Sequence, residues 1–188
     1  MRRARVPTVW LFTDERLGGA QATDPLWTAL ERLPRGSGIV FRNYSLAPRE
    51  RAELLARIAP VARRRGLALV GSSITGAPDG LHRPAHAPRG RSTGGRLVTA
   101  SAHSRREAIA ALRAGADLIF ISPVFPTRSH PGAPVLGPVR FGLAARGLPG
   151  TVIALGGMTA ARARRLAPLG AAGYAGIDCW AHGPAQMR

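Results

Sequence analysis

Short apolar or β-branched runs recur along this chain, and most are followed by a stretch whose apolar residues return at helical spacing. Residues 8–13 (TVWLFT) read as a first strand, and residues 24–33 as a helix with Asp24 as N-cap and Pro25 in the first helical position. Residues 38–44 (GIVFRNY) make a second predicted strand. Across residues 48–65, Leu54, Leu55, Ile58 and Val61 share one face while arginines and glutamates take the other, which predicts a long amphipathic helix. A third strand covers residues 67–71, and residues 80–82 make a very short fourth. Residues 83–95 are rich in Pro, Gly, Arg and Ser and carry no helical period.

Periodicity returns with a strand over residues 96–100 and a helix over residues 104–114, where Ser104 and Glu107 have capping-box spacing and Gly115 stops the turn. The run 117–122 (DLIFIS) is almost wholly apolar, as expected of a strand buried on both faces. A proline-rich loop then reaches Gly137, and a helix covers residues 139–146. A strand over residues 151–155, a helix over 159–169 capped by Thr159 and a strand over 173–177 complete the pattern.

Eight strands with interleaved helices predict a (β/α)8 barrel, a single domain over residues 1–188. The 188 residues leave about 23 per unit, against ~31 in a typical ~250-residue barrel. Helices are therefore expected to be reduced or missing after strands three, four and eight. A doubly wound open sheet is the alternative, but Gly18 and Gly19 are followed by no third spaced glycine of a dinucleotide fingerprint.

Composition narrows the chemistry. All 27 basic residues are arginine, against 10 acidic residues, for a formal charge of +17. With no lysine, Schiff-base catalysis and a Walker-type phosphate loop are excluded. The charge raises nucleic-acid binding, but the arginines are scattered, only Arg63 to Arg65 form a triplet, and aromatics are 5% of the chain. That pattern argues against a dedicated nucleic-acid binder and leaves a preference for anionic small molecules open. The lone Cys179 excludes an internal disulfide and a multi-cysteine zinc site. The apolar stretch after Arg5 is short and soon meets Asp14 and Glu15, so a cytoplasmic protein with no membrane partner is expected.

In a parallel barrel, functional groups gather at the C-terminal strand ends. Here those ends carry Asp14, Glu15, Arg42, Asn43, Ser72, Ser73, His82, Ser101, His103, Ser122, Thr127 to His130, Gly156, Gly157 and Asp178. Hydroxyls, glycines and arginine outnumber carboxylates, which suits holding a phosphate better than metal-assisted hydrolysis. Gly156 and Gly157 join strand seven to a helix start, where they serve either as a backbone cradle for an anion or as a plain tight turn. Residues 122–134 (SPVFPTRSHPGAP) are either a rigid phosphate clamp presenting Thr127, Arg128, Ser129 and His130, or a proline-stiffened surface loop. His82 and His86 have i,i+4 spacing, but Pro84 between them removes a shared helical face, so no histidine metal site is predicted.

In order and spacing, the segments SAHS (101–104), GAD (115–117), SPVFPT (122–127) and IALGGM (153–158), with LFTD (11–14), resemble the thiamine phosphate synthase/TenI family. The resemblance spans nearly the whole chain and is strongest from about Leu97 onward. It implies a (β/α)8 barrel, often homo-oligomeric, that joins hydroxymethylpyrimidine diphosphate to thiazole phosphate and releases pyrophosphate with the help of Mg2+. By the same resemblance, Thr127 and Ser129 match hydroxyls that hold the thiazole phosphate, with His130 closing the motif where the family has lysine. Gly156, Gly157 and the Ile177 region match phosphate loops, Ser101 matches a diphosphate contact, and Arg42 matches an arginine on strand two. No catalytic residue is assigned. The family's strand-two Gln and Lys are Val40 and Tyr44 here, and its Asn-Asp pair after strand three is Ser72 and Ser73. Its second metal carboxylate has no match in residues 85–87, and Pro123 stands where the TenI branch has histidine. The alternative implied is a TenI-like barrel that binds a phosphorylated ligand without turnover.

Overall fold

The computed structural model describes residues 6–85, 95–129 and 131–181. Eight parallel strands close into a barrel in sequence order. They are β1 (Val9–Phe12), β2 (Gly38–Phe41), β3 (Ala68–Ser72), β4 (Gly80–Arg83), β5 (Leu97–Ala102), β6 (Leu118–Ile121), β7 (Thr151–Leu155) and β8 (Gly173–Gly176). Closure is made by β8 against β1, with Val9 opposite Tyr174 and Leu11 opposite Gly176. Helices α1 (Pro25–Arg32), α2 (Pro48–Arg65), α3 (Arg105–Arg113), α4 (Gly137–Ala145), α5 (Ala160–Leu166) and α6 (Asp178–Ala181) pack outside. No helix joins β3 to β4, as expected; after β8 the described residues hold one helical turn, and residues 182–188 lie outside them. Most of the segment expected to lack a helix after strand four lies outside the described residues.

The strand register sets which side chains fill the barrel. Ser72 stands opposite His82, His82 opposite Thr99, and Ser101 opposite Phe120, so these side chains share the interior face. Phe120 meets Trp10 at 5.4 Å and Phe12 at 4.7 Å, both edge to face. A Cβ at Gly38 would collide with the Trp10 ring, so the indole occupies space that only glycine leaves there. Truncating one such fully buried ring costs about 3–5 kcal/mol.

Helix α2 runs from Pro48 to a left-handed Gly66 cap and buries Leu54, Leu55, Ile58 and Ala62. Val61, assigned to that face from the sequence, is only half-buried. Helix α6 follows β8 directly. Trp180 donates its indole N–H to the Trp10 carbonyl at 3.1 Å and stacks on Tyr174 at 5.6 Å, covering the β8–β1 seam.

Two local expectations are corrected. Strand β2 stops at Phe41 rather than Tyr44, because Asn43 adopts a φ of 37° and accepts the Thr13 hydroxyl at 2.6 Å. Asp24 precedes α1 but makes no side-chain cap; its carboxylate accepts the Gly19 and Gln21 amides at 2.7 and 2.9 Å and folds the preceding loop.

Candidate functional site

The C-terminal ends of the strands surround a pocket of about 700 Å³. Arg42, Ser101, Thr127, Ser129, Gly156, Gly157 and Ile177, the described residues matched through the family resemblance, all line it, as do His82, His103, Ser122, Arg128 and Asp178, whereas Asp14, Glu15, Asn43, Ser72 and Ser73 do not. His130 lies outside the described residues.

The floor is built by strands β1, β2, β4 and β5. The His82 ring pairs through Nδ1 with Thr99 Oγ1 at 2.8 Å and through Nε2 with Ser101 Oγ at 3.1 Å. Burial, with Arg42 nearby, pushes its pKa down to about 3, so the imidazole is neutral at physiological pH. Arg42 lies over the Phe12 ring at 5.1 Å, donates Nε–H to the Thr13 carbonyl at 3.0 Å, and approaches Asp14 only to 3.6 Å. Burial lowers its pKa, opposed by Tyr44, Asp14 and Glu15. The guanidinium is therefore a partly desolvated cation with room for an anion.

The walls come from the loops after β6 and β7. In the first, Thr127 Oγ1 accepts the Ser129 amide at 3.4 Å. In the second, Gly156 and Gly157 have φ of 93° and 59°. A Cβ on Gly156 would stand 2.8 Å from Pro123 Cα, and one on Gly157 would collide with the Pro126 carbonyl. These glycines are thus more than a turn: they let the β7 loop lie directly on the β6 loop, with the Phe125 amide donating to the Gly156 carbonyl at 3.1 Å. Arg162, from α5, braces the same junction through the Gly157 carbonyl and lies over the Phe125 ring at 4.7 Å.

Charged groups close the rim. Arg16, in a 3-10 turn (Glu15–Leu17), contacts Asp14 at 2.7 Å and Asp178 at 3.4 Å, and donates to Ser129 Oγ at 2.8 Å. Arg128 reaches the other oxygen of Asp178 at 3.3 Å. Burial raises the Asp14 pKa, but hydrogen bonds and charge from Arg16, with Arg42, outweigh it and hold the carboxyl below the ordinary range. Neither Arg16 nor Arg162 stands out in the sequence, because nothing in local spacing shows a guanidinium reaching across a barrel mouth. His103 donates from Nδ1 to the Ser122 carbonyl at 2.8 Å and lines the rim.

A divalent cation needs oxygen ligands that carry negative charge. Ser72 Oγ is shared with the Tyr44 hydroxyl at 2.6 Å, and Arg51 occupies the carbonyls of Arg42, Ser72 and Ser73. Ala85 has no side-chain donor, and Asp14 and Asp178 are held by arginines. Among the described residues no three His, Cys, Asp or Glu side chains gather where a metal ion could sit. The donor set of the described residues does not fit a resident Mg2+.

The sequence profile described as "Thiamine monophosphate synthase" matches residues 82–179. A thiamine-phosphate synthase from Chlorobium luteolum is 31% identical over 190 residues, covering 95% of this chain and 87% of that protein. The chain belongs to the thiamine phosphate synthase/TenI family. Another member, the thiamine-phosphate synthase of Geobacillus kaustophilus, is 38% identical over 93 residues, which cover 48% of this chain and 42% of its own length. The fold agrees. A thiamine phosphate pyrophosphorylase from Pyrococcus furiosus superposes with a TM-score of 0.77 at 22% identity, covering 96% of this chain and 90% of that one. No helix among the described residues is long and apolar enough to cross a membrane.

Proposed function

We propose that this family member joins hydroxymethylpyrimidine diphosphate to thiazole phosphate, giving thiamine phosphate and pyrophosphate. The observation that carries the reading is the convergence of Arg42, Ser101, Thr127, Ser129, Gly156, Gly157 and Ile177 on one pocket at the catalytic end of the barrel. In this reading the Thr127 and Ser129 hydroxyls and the Gly156–Gly157 backbone hold the thiazole phosphate. Arg42 and Ser101 take the diphosphate, and Ile177 supplies apolar wall.

The chemistry fits the protonation states. The methylene carbon–oxygen bond breaks with both electrons leaving on pyrophosphate, and the thiazole nitrogen lone pair then forms the new carbon–nitrogen bond. No proton moves and no protein nucleophile is needed. Accordingly, burial pushes the Cys179 thiol up to about 12, where it is a poor nucleophile, and His82 is neutral. The reaction's requirement is stabilisation of the departing anion, which fixed cationic donors supply. The family's reaction is Mg2+-assisted, and no step here is assigned to that ion.

A second reading, ligand binding without turnover, is favoured by Ser72 and Ser73, and by the residue types at 85–87, where the resemblance calls for metal-binding side chains. One assay separates the two: purified chain with both substrates, with and without Mg2+, followed by mass spectrometry. The synthase reading expects thiamine phosphate. Thiazole phosphate binding without product at high protein concentration supports the second reading instead.

A further inference from the structure

We propose that the pocket binds a diphosphate without a divalent cation, its charge being met by three guanidinium groups, Arg42, Arg128 and Arg162. The inference rests on the pocket assigned above and deepens it by naming how the anion is held.

Three arginines from three separate elements line this one cavity: Arg42 after β2, Arg128 in the loop after β6, which shares its charge with the partly exposed Asp178, and Arg162 on α5, which also donates to the Gly157 carbonyl. Carboxylates that could otherwise bring a cation to the mouth are already occupied. Asp14 is held by Arg16 at 2.7 Å, and Asp178 lies between Arg16 at 3.4 Å and Arg128 at 3.3 Å. Glu15 is turned away to the Ser45 amide at 2.9 Å.

The β2–β3 side is closed to a cation in a second way. The Arg51 guanidinium donates to the carbonyls of Arg42, Ser72 and Ser73 at 2.6 to 3.1 Å, so these oxygens already face a fixed positive charge. Placing a divalent ion beside Arg42 and Arg51 adds like-charge repulsion at short range. An anion experiences the opposite. It relieves the partly desolvated Arg42, whose one carboxylate contact among the described residues is 3.6 Å long, and planar guanidinium groups match its oxygens bidentately. Arg83 takes no part, since it donates outward to the Ala114 carbonyl at 3.0 Å.

Inorganic pyrophosphate tests this without turnover. Titrated calorimetrically into the full chain in EDTA, it is expected to bind, and saturating Mg2+ to tighten binding by less than about threefold. Arg128→Gln and Arg162→Gln are each expected to weaken binding in EDTA by roughly tenfold, the loss of one charge-assisted hydrogen bond, with unchanged circular dichroism. No binding in EDTA, greater tightening by Mg2+, or weakening of less than about threefold in either folded variant overturns the proposal. Metal-dependent product formation would defeat this inference and leave the synthase reading standing. Metal-free pyrophosphate binding with no product under any condition would do the reverse.

Discussion

Arg16 donates to Ser129 Oγ at 2.8 Å, tying the first turn after β1 to the loop after β6 across the mouth of the barrel. The same guanidinium holds Asp14 and Asp178, so one side chain fixes three strand ends. Arg16 does not line the pocket; it positions a residue that does. Arg16→Gln is therefore expected to reduce thiazole phosphate affinity by about fivefold, with a stability loss within about 1 kcal/mol because the pairs are partly exposed. Calorimetry and urea unfolding measure the two effects, and a large stability loss with intact affinity would reverse the assignment.

Thr127→Ala combined with Ser129→Ala removes both hydroxyls of the β6 loop. The double variant is expected to bind thiazole phosphate at least about tenfold more weakly, two neutral hydrogen bonds to an anion being lost. Calorimetry that returns the wild-type affinity would remove these residues from the phosphate site.

Gly157→Ala tests the contact between the β6 and β7 loops. With φ at 59° and the Pro126 carbonyl in the way, the variant is expected to lose about 2 kcal/mol or more of stability. Phosphate affinity should fall with it as the loops separate. Denaturant unfolding that shows no change would mean that the loops do not pack as described.

His82 makes stability depend on pH. The unfolded imidazole takes up a proton near 6.5, whereas the folded one does so only near 3. Between those values the unfolded state binds more protons, so stability falls as pH drops from 6.5 toward 3, by an amount on the order of a few kcal/mol. His82→Gln, which can still pair with Thr99 and Ser101, is expected to flatten that part of the profile. Parallel profiles in urea titrations would show that His82 is not the titrating group.

Much of this architecture is legible in the sequence, and the reasons are local. The boundaries of β7 coincide with the predicted TVIAL run, and β6 is the apolar segment expected of a strand covered on both faces. Ser104 caps α3 through the Glu107 amide at 3.2 Å, as its spacing predicts. The seven residues matched through the family resemblance line one pocket, because strand ends of a closed barrel share one mouth. What local pattern could not supply is long-range geometry. The reach of Arg16 to Ser129 spans 113 positions, and the left-handed turn at Asn43 depends on a hydroxyl from the neighbouring strand. The second role of Gly156 and Gly157, contact with another loop, is likewise invisible until the loops are placed.

The most direct test of the central claim is a phosphorus NMR time course of the full chain with both substrates, run in EDTA and again in Mg2+. The account predicts that the diphosphate signals decline only when thiazole phosphate is present, with pyrophosphate and thiamine phosphate growing in equal amounts, and with EDTA no barrier to turnover. Diphosphate signals that persist in both conditions, at protein concentrations matching substrate, would contradict it.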